Sequence, residues 1–295
     1  NFPMPTFLRN QQKSLGILAL ILPIFLITCL FQAATNGWDW SKVTFWSSEK
    51  ISSMTRYTGL FGIIAIGAAV VIATGGVDLS MGALMGLTGV LMPMLIRPSQ
   101  GAPLLDFSVE PGVAWLIIAA ISLFIGWFHG ILITKLQLQP FLVTLCGLFI
   151  YRGIAMTITA EGTKGFGNDF PDVKALVGGR FLGMPMPFVI ALLLAGIMAL
   201  VIHRTVFGRH LLALGRNEQA AKFSGIRTDR IKIVAYMLCA LAAGFGGVMF
   251  ALDGNSAAPS DHCQGYELYA IAGAVLGGCN LRGGECKFVG VILGT

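Results

Sequence analysis

GRHLLALGRNEQAAKFSGIRTDR, residues 208–230, is a polar, basic stretch set between two charge-free apolar windows, 181–203 and 233–252. That contrast decides the fold. Each window holds roughly the 17 to 25 residues a bilayer-crossing helix needs, so the stretch reads as a loop joining two spanning helices on one side of a membrane. Working outward, charge-free windows of spanning length recur at 14–38, 57–77, 79–96 and 111–134, while 136–160 is broken by Arg152 and 268–281 is short. The last apolar run, Phe288 to Thr295, covers about a third of a bilayer at roughly 1.5 Å per residue. The sequence is therefore expected to stop inside a helix, with a C-terminal membrane segment truncated. Hydrophobic residues make up 55% of the chain and charged residues 12%, with mean hydropathy +0.78; that charged share is about half the usual one in soluble domains. The expected fold is all-α: one polytopic transmembrane domain over residues 1–295, with about 8–10 membrane segments. The first window is too long for a cleavable signal peptide and is expected to persist as a helix.

Charge distribution orients this bundle. Residues 203–232 carry seven Lys or Arg against Glu218 and Asp229, a net +5, which places the loop in the cytoplasm by the positive-inside rule. Alternation then puts the N-terminus (Arg9, Lys13) and Lys135 inside, and loop 253–267, with three acids and no Lys or Arg, outside. Trp38, Trp40 and Trp46 suit an outer interfacial belt. The chain's overall +6 is thus an orientation signal and gives no reason to expect nucleic acid. Glycine, 38 residues, sits inside the apolar windows, as in Gly244-Phe245-Gly246-Gly247, where small residues let helices approach closely in lipid. Of six cysteines only Cys263 faces outward in this topology, so no disulfide framework is expected on that side. Neither His262-Cys263 nor Cys279/Cys286 has the spacing of a four-ligand site, so no metal is expected.

The second window runs into Thr74-Gly75-Gly76-Val77-Asp78-Leu79-Ser80, where one helix ends at glycines and the next is expected to begin under an Asp78 cap. Gly277-Gly278-Cys279-Asn280-Leu281-Arg282-Gly283-Gly284 repeats the skeleton of two glycines, an Asp or Asn two residues on, a Leu and a later Gly. Paired helix breaks in the two halves of a transporter mark a pathway, because exposed helix ends supply polar groups where lipid-facing backbone cannot. Gly75, Gly76, Asp78, Ser80, Gly277, Gly278 and Asn280 are therefore pathway candidates; the plainer alternative is two glycine-rich turns alike by chance. Arg152 joins them with less support, since a charge about 18 Å beyond Pro140 along a helix must snorkel, pair or face water, and a structural pair accounts for it as well as a gate does. His129 reads as a packed or capping histidine.

Inside the opening stretch, Asn217 is a good N-cap, residues 218–224 are helix formers and Gly225 is the expected left-handed stop. A helix this short either lies on the inner leaflet or docks in a groove of another protein; Glu218, Ala220 and Ala221 favour docking, since a surface anchor wants bulkier apolar residues. No phosphate-binding loop of the form G-x-x-x-x-G-K-[ST] occurs, so the chain is not expected to hydrolyse ATP. Ser122 and His129 lie about two helical turns apart, too far for a nucleophile and its base, and enzyme activity is not expected.

Four stretches taken together resemble the permease subunits of bacterial ABC importers for sugars, of the ribose, xylose and galactose type. They are residues 74–82, TGGVDLSMG; 139–145, QPFLVTL; 208–210 with 215–226, GRH and GRNEQAAKFSGI; and 265–268, GYEL, followed by Ala270-Ile271-Ala272 and the Gly277-Gly278 turn. The resemblance runs over residues 15–295 and departs at Tyr269, where the family commonly has an acidic residue. It implies a multi-pass protein of the bacterial plasma (inner) membrane, paired with a second permease, with an ABC ATPase binding from the cytoplasm and a sugar-binding protein from outside. It also implies that ATP is used by the partner ATPase, this chain binding no cofactor. Within loop 208–230, Arg216, Asn217, Glu218, Ala220, Ala221, Ser224 and Gly225 would couple the chain to the ATPase. A stand-alone secondary transporter or channel is the alternative; it predicts buried acid or histidine relays, and apart from Asp78 beside a break the apolar windows hold no acid.

Overall fold

In the computed structural model, which describes residues 6–40, 44, 47–97 and 108–295, helices form where apolar runs lie between proline and glycine punctuation. Trp46 lies outside the described residues, as do the side chains of Arg9 and Lys13. The helices are α1 (Thr6–Thr35), α2 (Ser48–Ala73), α3 (Met81–Ile96), α4 (Pro111–Thr134), α5 (Pro140–Thr159), α6 (Pro171–Gly178), α7 (Met186–Arg204), α8 (Val206–Arg216), α9 (Glu218–Phe223), α10 (Thr228–Asp253), α11 (Tyr266–Leu276) and α12 (Phe288–Gly294). Five of them (α2, α4, α5, α7, α10) are long and apolar enough to cross a membrane, and Leu22–Thr35, α3 and α11 are shorter apolar helices. Pro111, Pro140 and Pro171 each stand in a first turn, where a missing N–H costs nothing. Sheet among the described residues is confined to two ladders of two-residue strands: β1 (Lys164–Gly165) with β4 (Ser256–Ala257), and β2 (Arg180–Phe181) with β3 (Met184–Pro185).

Burial separates a centre from a rim. The most apolar window of α2 is 78% buried and that of α10 61%, against 28% in α5 and 22% in α7; α10 packs on both α2 and α3, and α3, which also packs on α5 and α4, is buried on nearly every side, as expected of a helix hydrophobic all round. Phe124, Phe149, Leu193 and Leu200 point outward from the rim helices, where lipid replaces water. The glycines do the close packing that the sequence suggests. A Cβ on Gly126 of α4 would lie 2.5 Å from Met237 Cα of α10, and one on Gly247 of α10 would lie 2.5 Å from Met85 Cα of α3.

Three expectations change. α2 begins at Ser48, nine residues before its charge-free window, because Ser47 caps the helix by accepting from Lys50 N–H at 3.3 Å. The window 136–160 yields a complete helix in spite of Arg152. The loop after α7 holds α8 as well as the short helix, with Leu211 and Leu214 buried and Arg209 and Arg216 exposed. The molecule therefore has a basic end, with α8, α9 and both glycine breaks, and an acidic end, with Asp253 and the 258–265 segment.

Candidate functional site

At the basic end three stretches far apart in sequence touch. In the last turn of α8, Gly215 lies against the Ala73 carbonyl and the Gly284 amide, with no room for a Cβ. Gly283, at φ +84°, has Gly75 N and Gly215 O within 2.7 and 2.8 Å of the point its Cβ would occupy, and Gly284 N–H donates to Ala73 O at 3.0 Å. The two helix breaks thus meet each other, and together they hold the end of α8. Arg216 is exposed, its stem beside Gly284.

The breaks share a turn as well as a sequence skeleton. Asp78 Oδ1 accepts from Ser80 N–H at 2.9 Å and from the Ser80 hydroxyl at 2.6 Å, and Asn280 Oδ1 accepts from Arg282 N–H at 3.0 Å; both are Asx turns, in which a side chain stands in for the backbone two residues on. Asp78 is therefore not the expected cap of α3, which starts behind Ser80 without a side-chain cap bond. Asp78 and Ser80 are both buried, and Asn280 is exposed. Gly75 (φ +81°) and Gly278 (φ +99°) supply the left-handed conformation, whereas Gly76 and Gly277 are held by contact, to the Tyr236 hydroxyl and the Val291 backbone. Cys279 and Cys286 are joined by a disulfide across the second turn.

From this junction the chain passes into α9. Asn217 Oδ1 accepts from Ala220 N–H at 3.0 Å and Gly225 takes φ +80°, so the short helix starts and stops where the sequence places it. Glu218 receives Lys232 of α10 at 2.6 Å and Lys222 at 3.0 Å. Partial burial by itself would raise its carboxyl, but hydrogen bonds from those two lysines outweigh burial and hold it below the usual carboxylate range. Ala221, expected on the docking face, is instead buried at 4% exposure, because the Glu218 tether turns that side of the helix inward. The face presented outward is Ala220, Ser224 and above all Phe223, 92% exposed. Phe223 escaped the sequence reading, though a lone aromatic in a basic loop is a visible signal.

Arg152 is not part of this junction. Its Nη1 donates to Pro259 O at 3.0 Å and His262 O at 2.9 Å, and Nη2 donates to Gly82 O at 3.4 Å. Gly82 and Gly86 leave space on α3 for Glu267 and for the guanidinium. An irregular backbone at membrane depth is tolerated only when enclosed by protein, and Arg152 supplies the donors that the 258–265 carbonyls need. Arg152→Leu strands those carbonyls, at about 1–3 kcal/mol each. Amide exchange at His262 and Gln264 is accordingly expected to accelerate by roughly tenfold or more; unchanged protection there would return Arg152 to the gate. His129 pairs with the Tyr151 hydroxyl at 2.7 Å between α4 and α5, a packing role.

Comparison with known proteins agrees with this architecture. The family described as "Branched-chain amino acid transport system / permease component" matches residues 50–295. The ribose import permease protein RbsC of Bacillus subtilis is 34% identical over 83% of this chain and 73% of its own length. RbsC of Escherichia coli K12 is 33% identical over 97% and 82%, and the autoinducer 2 import system permease protein LsrC of E. coli K12 is 29% identical over 99% and 79%. No solved structure matches significantly. With that match over most of the chain and five helices long and apolar enough to cross a membrane, the chain belongs to this permease family and is a multi-pass inner-membrane subunit of an ABC importer, a transport component rather than an enzyme.

Proposed function

We propose that this subunit imports a monosaccharide or similar small polar solute into the bacterial cytoplasm, driven by ATP that a separate ATPase hydrolyses while gripping α9. One observation carries the reading: Gly215, two residues before the α9 cap, is wedged against both helix breaks, so displacement of α9 reaches the pathway through backbone contact. The names of the relatives, ribose and autoinducer 2 import permeases, support a sugar-type solute. A second permease subunit would close the pathway, lipid would cover the rim helices, and an extracytoplasmic sugar-binding protein would dock at the acidic end. Uptake by the reconstituted complex, with and without ATP, tests the proposal; uptake indifferent to ATP would sink it in favour of a stand-alone transporter.

The orientation assumed is basic end inside, N-terminus cytoplasmic. A cysteine placed at Ser224 is expected to react with a membrane-impermeant thiol reagent only in inside-out vesicles, and one at Ser260 only from outside. Native Cys263 cannot serve as the outer reporter, being 4% exposed. Reversed accessibility would remove α9 from the compartment in which ATP is hydrolysed.

A further inference from the structure

The acidic end holds a second group of polar and aromatic side chains that the coupling junction does not use. α2 carries two stripes at i, i+4 spacing there, Ser52–Arg56 and Ser53–Tyr57–Phe61, each on one face of the helix. Ser52, Ser53 and Arg56 line a cleft of about 160 Å³ together with Val177, Gly178, Gly179, Arg180 and Pro185; Arg180 donates to Ser52 Oγ at 3.2 Å. From the cleft, Arg56 reaches Asp253 of α10 at 2.7 Å and lies over the Tyr57 ring, 5.3 Å from its centroid. One turn further along, Phe61 stands 5.0 Å from Tyr266 and 5.6 Å from Tyr269 of α11, with the two tyrosines 6.0 Å apart. Tyr57 and Tyr269 are 43% and 62% exposed.

The chemistry selects a ligand class. Asp253 pairs with Arg56 and Ser52 with Arg180, and each guanidinium, with five N–H donors, keeps donors beyond that partner. Two serine hydroxyls and the Tyr269 phenol add further hydrogen-bonding groups beside the partly exposed rings of Tyr57 and Tyr269. A body with hydroxyls on its edge and C–H groups on its face matches that surface, and such a body is a neutral monosaccharide. We propose that Ser53, Arg56, Tyr57, Tyr266 and Tyr269 form an outer saccharide track, which receives the sugar at the cleft and passes it along α2 across the aromatic rings. From Ser53 to Phe61 the helix rises about 12 Å, enough for a sugar to move from cleft to rings in one or two steps. The inference rests on the reading of the protein as a sugar importer.

The test uses the whole complex, this chain with its ATPase and binding protein, in proteoliposomes given radiolabelled D-ribose, D-xylose or D-galactose. With a sugar the wild type transports, Tyr269→Ala is expected to cut uptake by about three- to tenfold, the scale of one aromatic contact. Tyr269→Trp should retain uptake, and Ser53→Trp, which fills the cleft, should lose it. Binding-protein-stimulated ATP hydrolysis and subunit association should stay at wild-type levels in all three. The track is overturned if Tyr269→Ala and Ser53→Trp transport normally, or if their losses are matched by lost hydrolysis or lost association, which would make this face a docking or dimer surface. A wild type that hydrolyses ATP yet moves none of the three sugars overturns the sugar reading, and the track with it.

Discussion

Phe223→Ala is expected to weaken the hold of the ATPase on this subunit by roughly thirtyfold, about 2 kcal/mol, the loss typical when a well-seated aromatic anchor is truncated. The ring is 92% exposed on a helix whose other side is fixed by Ala221 and by the Glu218 pairs to Lys222 and Lys232. It is thus presented on a rigid base, which lowers the entropy that docking must remove. Phe223→Asp should go further, since a carboxylate in an apolar groove adds a desolvation cost. Ala221→Trp acts by a different route: a large ring in a filled space forces α9 away from α10, and overpacking of this kind costs about 1–3 kcal/mol. All three variants should insert normally and still bind the external partner. Pull-down of the ATPase and its stimulated hydrolysis are the measurements. If both survive Phe223→Asp at wild-type strength, while detachment of the loop from vesicles of anionic lipid increases, α9 is a membrane-surface anchor and the proposed coupling fails.

How much of this was legible depended on whether its cause was local. Capping at Asn217, the left-handed stop at Gly225 and the glycine breaks are decided within a few residues, and the structure has them where the sequence does. The windows 57–77, 111–134, 181–203 and 233–252 were readable for the same reason, because bilayer thickness fixes their length, whereas 79–96 holds only the shorter helix α3. α8 was hidden since its amphipathic pattern, Leu211 and Leu214 in and Arg209 and Arg216 out, sits inside a loop dominated by charge. Arg152 could not be placed from its neighbours: its acceptors at Pro259 and His262 lie 107 and 110 residues away, and no local pattern encodes them. Ala221 failed similarly, its inward face being set by Lys232 on the following helix. The Asx turns were half legible: the Asp78 and Asn280 positions were visible, but Asp78 bonds Ser80 rather than capping α3.

The convergence at Gly215 and Gly283 leads to the second large effect. At Gly283 a side chain meets two obstacles, a left-handed φ of +84° and the Gly75 amide 2.7 Å from its Cβ, and the first alone costs about 1–2 kcal/mol. At Gly215 the obstacle is purely spatial: Cβ would collide with Ala73 O and with the Gly284 backbone, the pair whose hydrogen bond ties one break to the other. Gly215→Val must therefore separate α8 from both breaks, and uptake is expected to fall by more than about tenfold, the consequence of losing one or two kcal/mol of contact in a linkage that acts as a unit. Because the obstruction lies between α9 and the pathway, the variant should still bind the ATPase through Phe223 but hydrolyse ATP without transport. Gly196→Val in α7 is the matching control, since its Cβ would meet nothing within 4 Å. Normal uptake by both Gly215→Val and Gly283→Val would show that contact between the breaks is packing alone. Loss of uptake with ATP hydrolysis intact would locate the coupling in this glycine junction, where a loop helix with no pathway residue of its own presses on two breaks that cannot yield without moving each other.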